Sequence, residues 1–151
     1  MAREEKAIFT NLCMITDPVG NILVEDRKDP DWPGICFPGG HVEPGEAFTD
    51  SVVREVREET GLCIKDPRLC GVKQFQTNSG ARYVVFFYRA TKYTGTLQAS
   101  DEGEVFWISR EELRKRETVP DLPEMMQVME SSELNEFFYY PDNGTWGLRL
   151  L

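Results

Sequence analysis

Carboxylates crowd the segment Gly40-His41-Val42-Glu43-Pro44-Gly45-Glu46 and its continuation Arg54-Glu55-Val56-Arg57-Glu58-Glu59-Thr60-Gly61-Leu62. Phe48, Val52 and Val56 recur every four positions, so the spacing predicts a helix over 48–60 with one buried stripe. Gly61 supplies a residue that tolerates positive φ just past the helix end. At about 100° per residue, Glu55, Glu58 and Glu59 fall within an arc of about 100°. Three carboxylates so close repel one another unless a cation sits between them. Hard oxygen ligands of this kind suit Mg²⁺ or Mn²⁺, and Mg²⁺ commonly completes its shell with waters and substrate phosphates. The competing reading is a solvated acidic face carrying i,i+4 pairs such as Arg54–Glu58.

The spacing of the whole string decides between them. It fits G-x5-E-x7-R-E-U-x-E-E-x-G-U (U aliphatic), with Gly40, Glu46, Arg54, Glu55, Val56, Glu58, Glu59, Gly61 and Leu62 at every fixed position. This is the signature of the Nudix hydrolases, and the chain resembles a member of that family. The resemblance implies hydrolysis of a nucleoside diphosphate linked to another group, with Mg²⁺ or Mn²⁺ held by a loop–helix–loop. It implies Glu55, Glu58 and Glu59 as metal ligands, joined by the backbone carbonyl of Gly39. Glu46 would lie at the site's edge, and Arg54 would orient the glutamates through ion pairs. A carboxylate not committed to the metal can take the proton from the attacking water. Glu58 is the favoured base, with Glu55 and Glu102 as rivals.

A scaffold must hold that loop and helix. Residues 6–16 alternate apolar and polar with one irregularity and read as a strand. A turn at Asp17-Pro18-Val19-Gly20-Asn21 follows, and Ile22-Leu23-Val24 opens a second strand. Residues 28–34 are a loop by composition, and Phe37-Pro38-Gly39-Gly40 leads into the glutamate segment. Strands are expected near 68–76, 83–88 and 104–108. Ser109 begins a capping box, and residues 121–129 form a helix with Pro123 in its first turn. Strands at 135–140 and 145–150 flank the hairpin turn Asp142-Asn143-Gly144. These elements fit an α/β (α+β) fold, an α/β/α sandwich around a mixed sheet, which is also the Nudix fold. No repeat or linker divides residues 1–151, so one domain is expected.

Composition narrows the function. With 151 residues, 40% hydrophobic, the chain suffices for one sizeable core. A net charge of −9 disfavours a long nucleic-acid backbone as partner, whereas acidic clusters recruit cations that in turn recruit phosphates. A lone histidine, His41, excludes multi-histidine zinc sites and makes a Ser-His triad improbable; it reads as a loop residue, structural or touching phosphate. Four cysteines without C-x-x-C spacing, a charged N-terminus and no long apolar run together predict a cytoplasmic protein with free thiols and no membrane contact. Monomer and homodimer both stay open.

Beyond the motif, Ser100-Asp101-Glu102-Gly103-Glu104 is an acidic loop before Phe106-Trp107. In the MutT-type branch a glutamate on such a loop approaches the metal from opposite the helix. Glu102 matches best, with Glu104 in reserve. Asp121 divides evenly between a helix N-cap and, by the same resemblance, a contact to the purine edge. Phe37, Trp32 and Phe75 are candidates to stack on a base or to fill the core. Arg27 and Lys28 are candidate phosphate contacts or a surface pair. The sequence lacks the auxiliary strings of the ADP-ribose and NADH branches. The resemblance therefore implies a MutT-type nucleoside triphosphate pyrophosphohydrolase, specifically one cleaving 8-oxo-dGTP to the monophosphate and pyrophosphate by attack at the β-phosphorus. The alternatives are a pyrophosphatase of a nucleotide sugar or dinucleoside polyphosphate, and a non-catalytic nucleotide-binding domain.

Overall fold

A computed structural model of the protein describes residues 2–151; Met1, part of the charged N-terminal stretch, lies outside them. In chain order the elements are β1 (Ala7–Ile15), β2 (Ile22–Arg27), β3 (Gly34–Cys36), α1 (Phe48–Thr60), β4 (Leu62–Lys65), β5 (Arg68–Gln76) and β6 (Arg82–Ala90). They continue with β7 (Lys92–Gly95), β8 (Gly103–Ile108), α2 (Arg110–Leu113), α3 (Leu122–Glu130), β9 (Glu136–Asp142) and β10 (Thr145–Leu150). The largest sheet runs β1-β6-β5-β9-β10, parallel at β1–β6 and β5–β9 and antiparallel elsewhere. A second, antiparallel sheet runs β3-β2-β8, and β4 pairs with β7.

The irregular alternation in β1 has a packing cause. Every residue from Thr10 to Ile15 is buried, because both faces of the strand are covered. Cys13 and Ile15 pack with Val52 and Val56 of α1, whereas Leu12 and Met14 join Met125, Val128 and Met129 of α3. The two helices thus cover opposite faces of the mixed sheet, which is the expected layered α+β architecture. Burying Val52 and Val56 completely is worth about 1.5–3 kcal/mol each. Phe48, expected on the same buried stripe, is 42% exposed and lies against Phe9 and Phe86 at the sheet edge. Gly61 takes φ +79° and donates its N–H to the Arg57 carbonyl, ending α1 as its position predicts.

Three short strands, β3, β4 and β7, are absent from the sequence expectation. At three or four residues each they carry too little alternation to register. Asp121 precedes α3 as predicted, but it does not cap it. Its φ of +61° turns the side chain away from the helix N–H groups, and the carboxylate instead accepts the Tyr139 hydroxyl. Ser109 does cap α2, its Oγ accepting the Glu112 N–H at 3.1 Å.

Candidate active site

The glycine loop enters the site alongside β1. The Asn11 N–H donates to the Gly40 carbonyl and the Cys13 N–H to the Pro38 carbonyl, both at 2.9 Å. By alternation the intervening Gly39 carbonyl is left outside that ladder, and Gly39 lines the site. Its N–H donates to the Glu59 carboxylate at 3.0 Å. A Cβ at Gly39 would lie 2.0 Å from the Asn11 carbonyl oxygen, and one at Gly40 would lie 2.3 Å from the Glu55 carboxyl carbon. Only glycine allows the loop to pass between β1 and α1 so closely. Asn11 ties the layers together, donating to Ser51 Oγ at 3.0 Å and accepting the Gly40 N–H at 3.2 Å.

Arg54 organises the outer edge. Its Nε and Nη2 grip both oxygens of Glu46 at 2.8 and 3.0 Å. Its Nη1 reaches Glu55 at 2.9 Å and Glu58 at 3.2 Å, and Nη2 also donates to the His41 carbonyl. The bidentate guanidinium holds the Glu46 carboxyl down to about 2. Glu55 lies inside this ring, mostly buried, and burial raises its pKa above the ordinary 4.5 even with Arg54 beside it. Glu58 lies outside: its side chain is 58% exposed, turned to Arg54, and does not line the cavity.

The three motif glutamates therefore do not converge, contrary to the expectation from helix angle alone. Among the described residues, the acidic oxygens that gather within 4.8 Å of one another belong to Glu25, Glu59 and Glu102. Glu59 enters from the last turn of α1, 2% exposed. Glu102 stands on the loop before β8, which the Lys28 N–H holds through the Glu102 carbonyl at 3.1 Å. Glu25 comes from β2, the middle strand of its sheet, paired to Cys36 on one side and Val105 on the other. Sequence reading missed it because Glu25-Asp26-Arg27 looks like the charged, exposed end of a strand. Its side chain is fully buried and neither carboxylate oxygen has a hydrogen-bond partner. Burial, and for Glu59 the neighbouring Glu102 and Glu25, push the Glu25 and Glu59 carboxyls upward. Three carboxylates this close cannot all stay ionised without a cation between them, and otherwise the cluster keeps a proton. A divalent metal fits this donor set of hard oxygens.

A cavity of about 720 Å³ opens beside the trio. One wall carries Glu55, Glu59 and Glu102, with Gly39, Gly40 and His41 of the loop. The opposite wall is a single face of the mixed sheet, since Lys73 pairs with Val85 and Phe75 with Tyr83 in register. Trp32 completes it, and Arg27 and Lys28 join the two walls, Arg27 over Trp32 and the Lys28 N–H on the Glu102 carbonyl. The Arg27 guanidinium lies 5.0 Å over the Trp32 ring, 3.6 Å from Asp29, with its buried Nε unpartnered. Phe37, expected as a possible base-stacking ring, is fully buried in the core and takes no part in the wall. Asp121 does not line the cavity either; Tyr139 holds it behind the wall. Lys73 was not singled out from sequence, because a lysine beside Gln74 reads as solvent-facing.

The NUDIX domain family model matches residues 10–129, which include every element lining the cavity. The chain belongs to the Nudix family. It is 38% identical over 103 residues to the Nudix hydrolase YvcI of Bacillus subtilis, a match covering 65% of this chain and 63% of that protein. It is 33% identical over 107 residues to the CTP pyrophosphohydrolase of Escherichia coli, covering 69% of this chain and 78% of that one. Among solved structures, a MutT protein from Bacillus halodurans superposes with a TM-score of 0.76 at 26% identity, covering 95% of this chain and 97% of that chain. The chain thus spans a little under two thirds of YvcI. Nudix hydrolases generally use a divalent metal, and the buried acidic trio is a donor set that could hold one. Among the described residues no helix is long and apolar enough to cross a membrane.

Proposed function

We propose that this protein is a Mg²⁺-dependent nucleoside triphosphate pyrophosphohydrolase whose preferred substrate is 8-oxo-dGTP, cleaved to the monophosphate and pyrophosphate. The observation that carries the reading is the buried, unpartnered Glu25 carboxylate facing Glu59 and Glu102 beside a nucleotide-sized, aromatic-walled cavity. Ligand pockets of this kind commonly measure about 300–1,000 Å³, so a nucleotide fits. Glu59, Glu25 and Glu102 would hold the metal, joined by the Gly39 carbonyl and Glu55. A bound divalent cation neutralises polyphosphate charge and lowers the pKa of water. Arg54 fixes Glu46 and Glu55, so that Glu55 meets the cavity in one orientation. Glu55 is the base in this reading, in preference to Glu58, because it lines the cavity and Glu58 does not. Arg27 and Lys28 bind phosphate oxygens. Residues 1–151 act as one domain.

The triphosphate class is supported by the E. coli relative, whose name gives CTP as its substrate, and the oxidised base by likeness to MutT proteins. A Mg²⁺-dependent screen over triphosphates, 8-oxo-dGTP, ADP-ribose and dinucleoside polyphosphates tests both levels. The expected result is the highest kcat/KM for 8-oxo-dGTP with pyrophosphate released, and at least about a hundredfold loss in Glu59→Gln. Preference for ADP-ribose overturns the substrate, and wild-type rates in Glu59→Gln overturn the site.

A further inference from the structure

The face of β5 that lines the cavity is apolar except at one position. Phe75, Val85 and Leu12 stand beside Lys73 there, whereas the opposite face pairs its polar groups with one another, Gln74 to Glu136 and Arg82. Lys73 is 8% exposed. Its Nζ lies 5.0 Å from the Tyr139 ring centroid, 5.1 Å from Phe137, 5.9 Å from Trp32 and 6.0 Å from Phe75. Aromatic faces attract a cation, but they accept no conventional hydrogen bond. No described residue gives Lys73 a hydrogen bond or an ion pair; Asp121, the acidic side chain behind it, is engaged by Tyr139. Burial depresses its pKa, and the charges of Cys36 and Asp121 offset that only in part.

A largely buried ammonium whose three N–H donors find no protein acceptor and open only on the cavity is costly unless something in the cavity accepts from it. Methionine or leucine would fill the same box at no such cost. The phosphates belong with the carboxylates, their cation and the Arg27–Lys28 pair that adjoins Glu102, so the group that reaches Lys73 among its aromatic rings is the base. We propose that Lys73 is a base-reading residue, donating to a carbonyl oxygen on the bound base and so selecting oxo-bearing bases over adenine. Adenine places an amino donor where hypoxanthine and guanine place a carbonyl, and an ammonium cannot accept from it. This inference rests on the cavity being a nucleotide site but does not require hydrolysis.

The test measures IMP and AMP binding to the metal-free full chain by calorimetry, in wild type and Lys73→Met, with thermal midpoints alongside. Wild type is expected to bind IMP at least about tenfold more tightly than AMP, the effect of one charge-assisted hydrogen bond. Lys73→Met is expected to reduce IMP binding to the AMP level, leave AMP unchanged, and melt at or above the wild-type temperature. Equal binding of IMP and AMP by wild type overturns the proposal. So does an equal loss of both in the variant, which would mean a ring-nitrogen or non-base contact, and so does failure of either nucleotide to bind at millimolar concentration. A protein that keeps the IMP preference yet hydrolyses no triphosphate would refute the activity proposed above while leaving Lys73 as the base reader.

Discussion

Replacing Glu25 by glutamine is expected to stabilise the metal-free protein while weakening its hold on metal, two effects of opposite sign from one isosteric change. At the 4.8 Å limit separating the trio's oxygens, two unit charges in an effective dielectric of about 20 repel by about 3.5 kcal/mol. Protein folded without metal avoids part of that by keeping a proton on the cluster, so the recoverable gain is about 1–3 kcal/mol at pH 8. For a chain of 151 residues that raises Tm by roughly 3–10 °C. Loss of a ligand or its close support weakens metal binding by about tenfold to a hundredfold. Metal at a hundred times its Kd stabilises by about 2.7 kcal/mol, and a hundredfold weaker Kd leaves about 0.4 kcal/mol. Differential scanning calorimetry of both proteins, with and without Mg²⁺, reads both effects. A variant less stable than wild type without metal, or one whose Mg²⁺ increment is unchanged, would refute the placement of Glu25 against the cation.

Other outcomes follow from the same geometry. Gly40→Ala drives a methyl into the Glu55 carboxylate, and a displacement of about 1 Å at that group lowers kcat by about a hundredfold; wild-type turnover with a folded variant would show that Glu55 is not held where it must act. Arg54→Lys loses the fork to Glu46 and the reach to Glu55, so kcat is expected to fall at least about tenfold while Tm changes little; unaltered kinetics would contradict its positioning role. The raised Glu25 and Glu59 carboxyls keep protons in the folded protein that the unfolded chain releases near 4.5. Metal-free stability therefore declines as pH rises above about 4.5, and saturating Mg²⁺ removes the decline because the ligands are then ionised. Glu46, held down to about 2, works oppositely: its contribution is present above about 4.5 and is lost as pH falls toward 2. Tm measured from about pH 2 to 9, with and without Mg²⁺, checks both, and a metal-free profile that is flat above about pH 4.5 would count against the cluster.

Legibility in the sequence tracked how much each feature depends on local periodicity. Val52, Val56 and Gly61 announce α1 through spacing alone, and the turn at Asn143-Gly144, with φ of +49° and +83°, follows from residue type. The glutamate motif was equally plain. The roles within it were not, because helix angle cannot tell that Glu59 turns inward beneath Gly39 while Glu58 stays with Arg54. Glu25 and Lys73 were invisible for a shared reason. Each is charged, followed by a polar residue, and buried only by neighbouring strands: β3 and β8 around Glu25, β6 and β9 around Lys73. Phe37 misled in the opposite sense, its neighbours Pro38-Gly39-Gly40 suggesting an exposed loop where the chain is still in the core.

The central claim is a place for the cation, and anomalous scattering from a Mn²⁺-soaked crystal locates it directly. The account predicts a peak among Glu59, Glu25 and Glu102, diminished in Glu25→Gln. A peak confined to Glu55 and Glu58, with Glu25 still unpartnered in its core position, would contradict it.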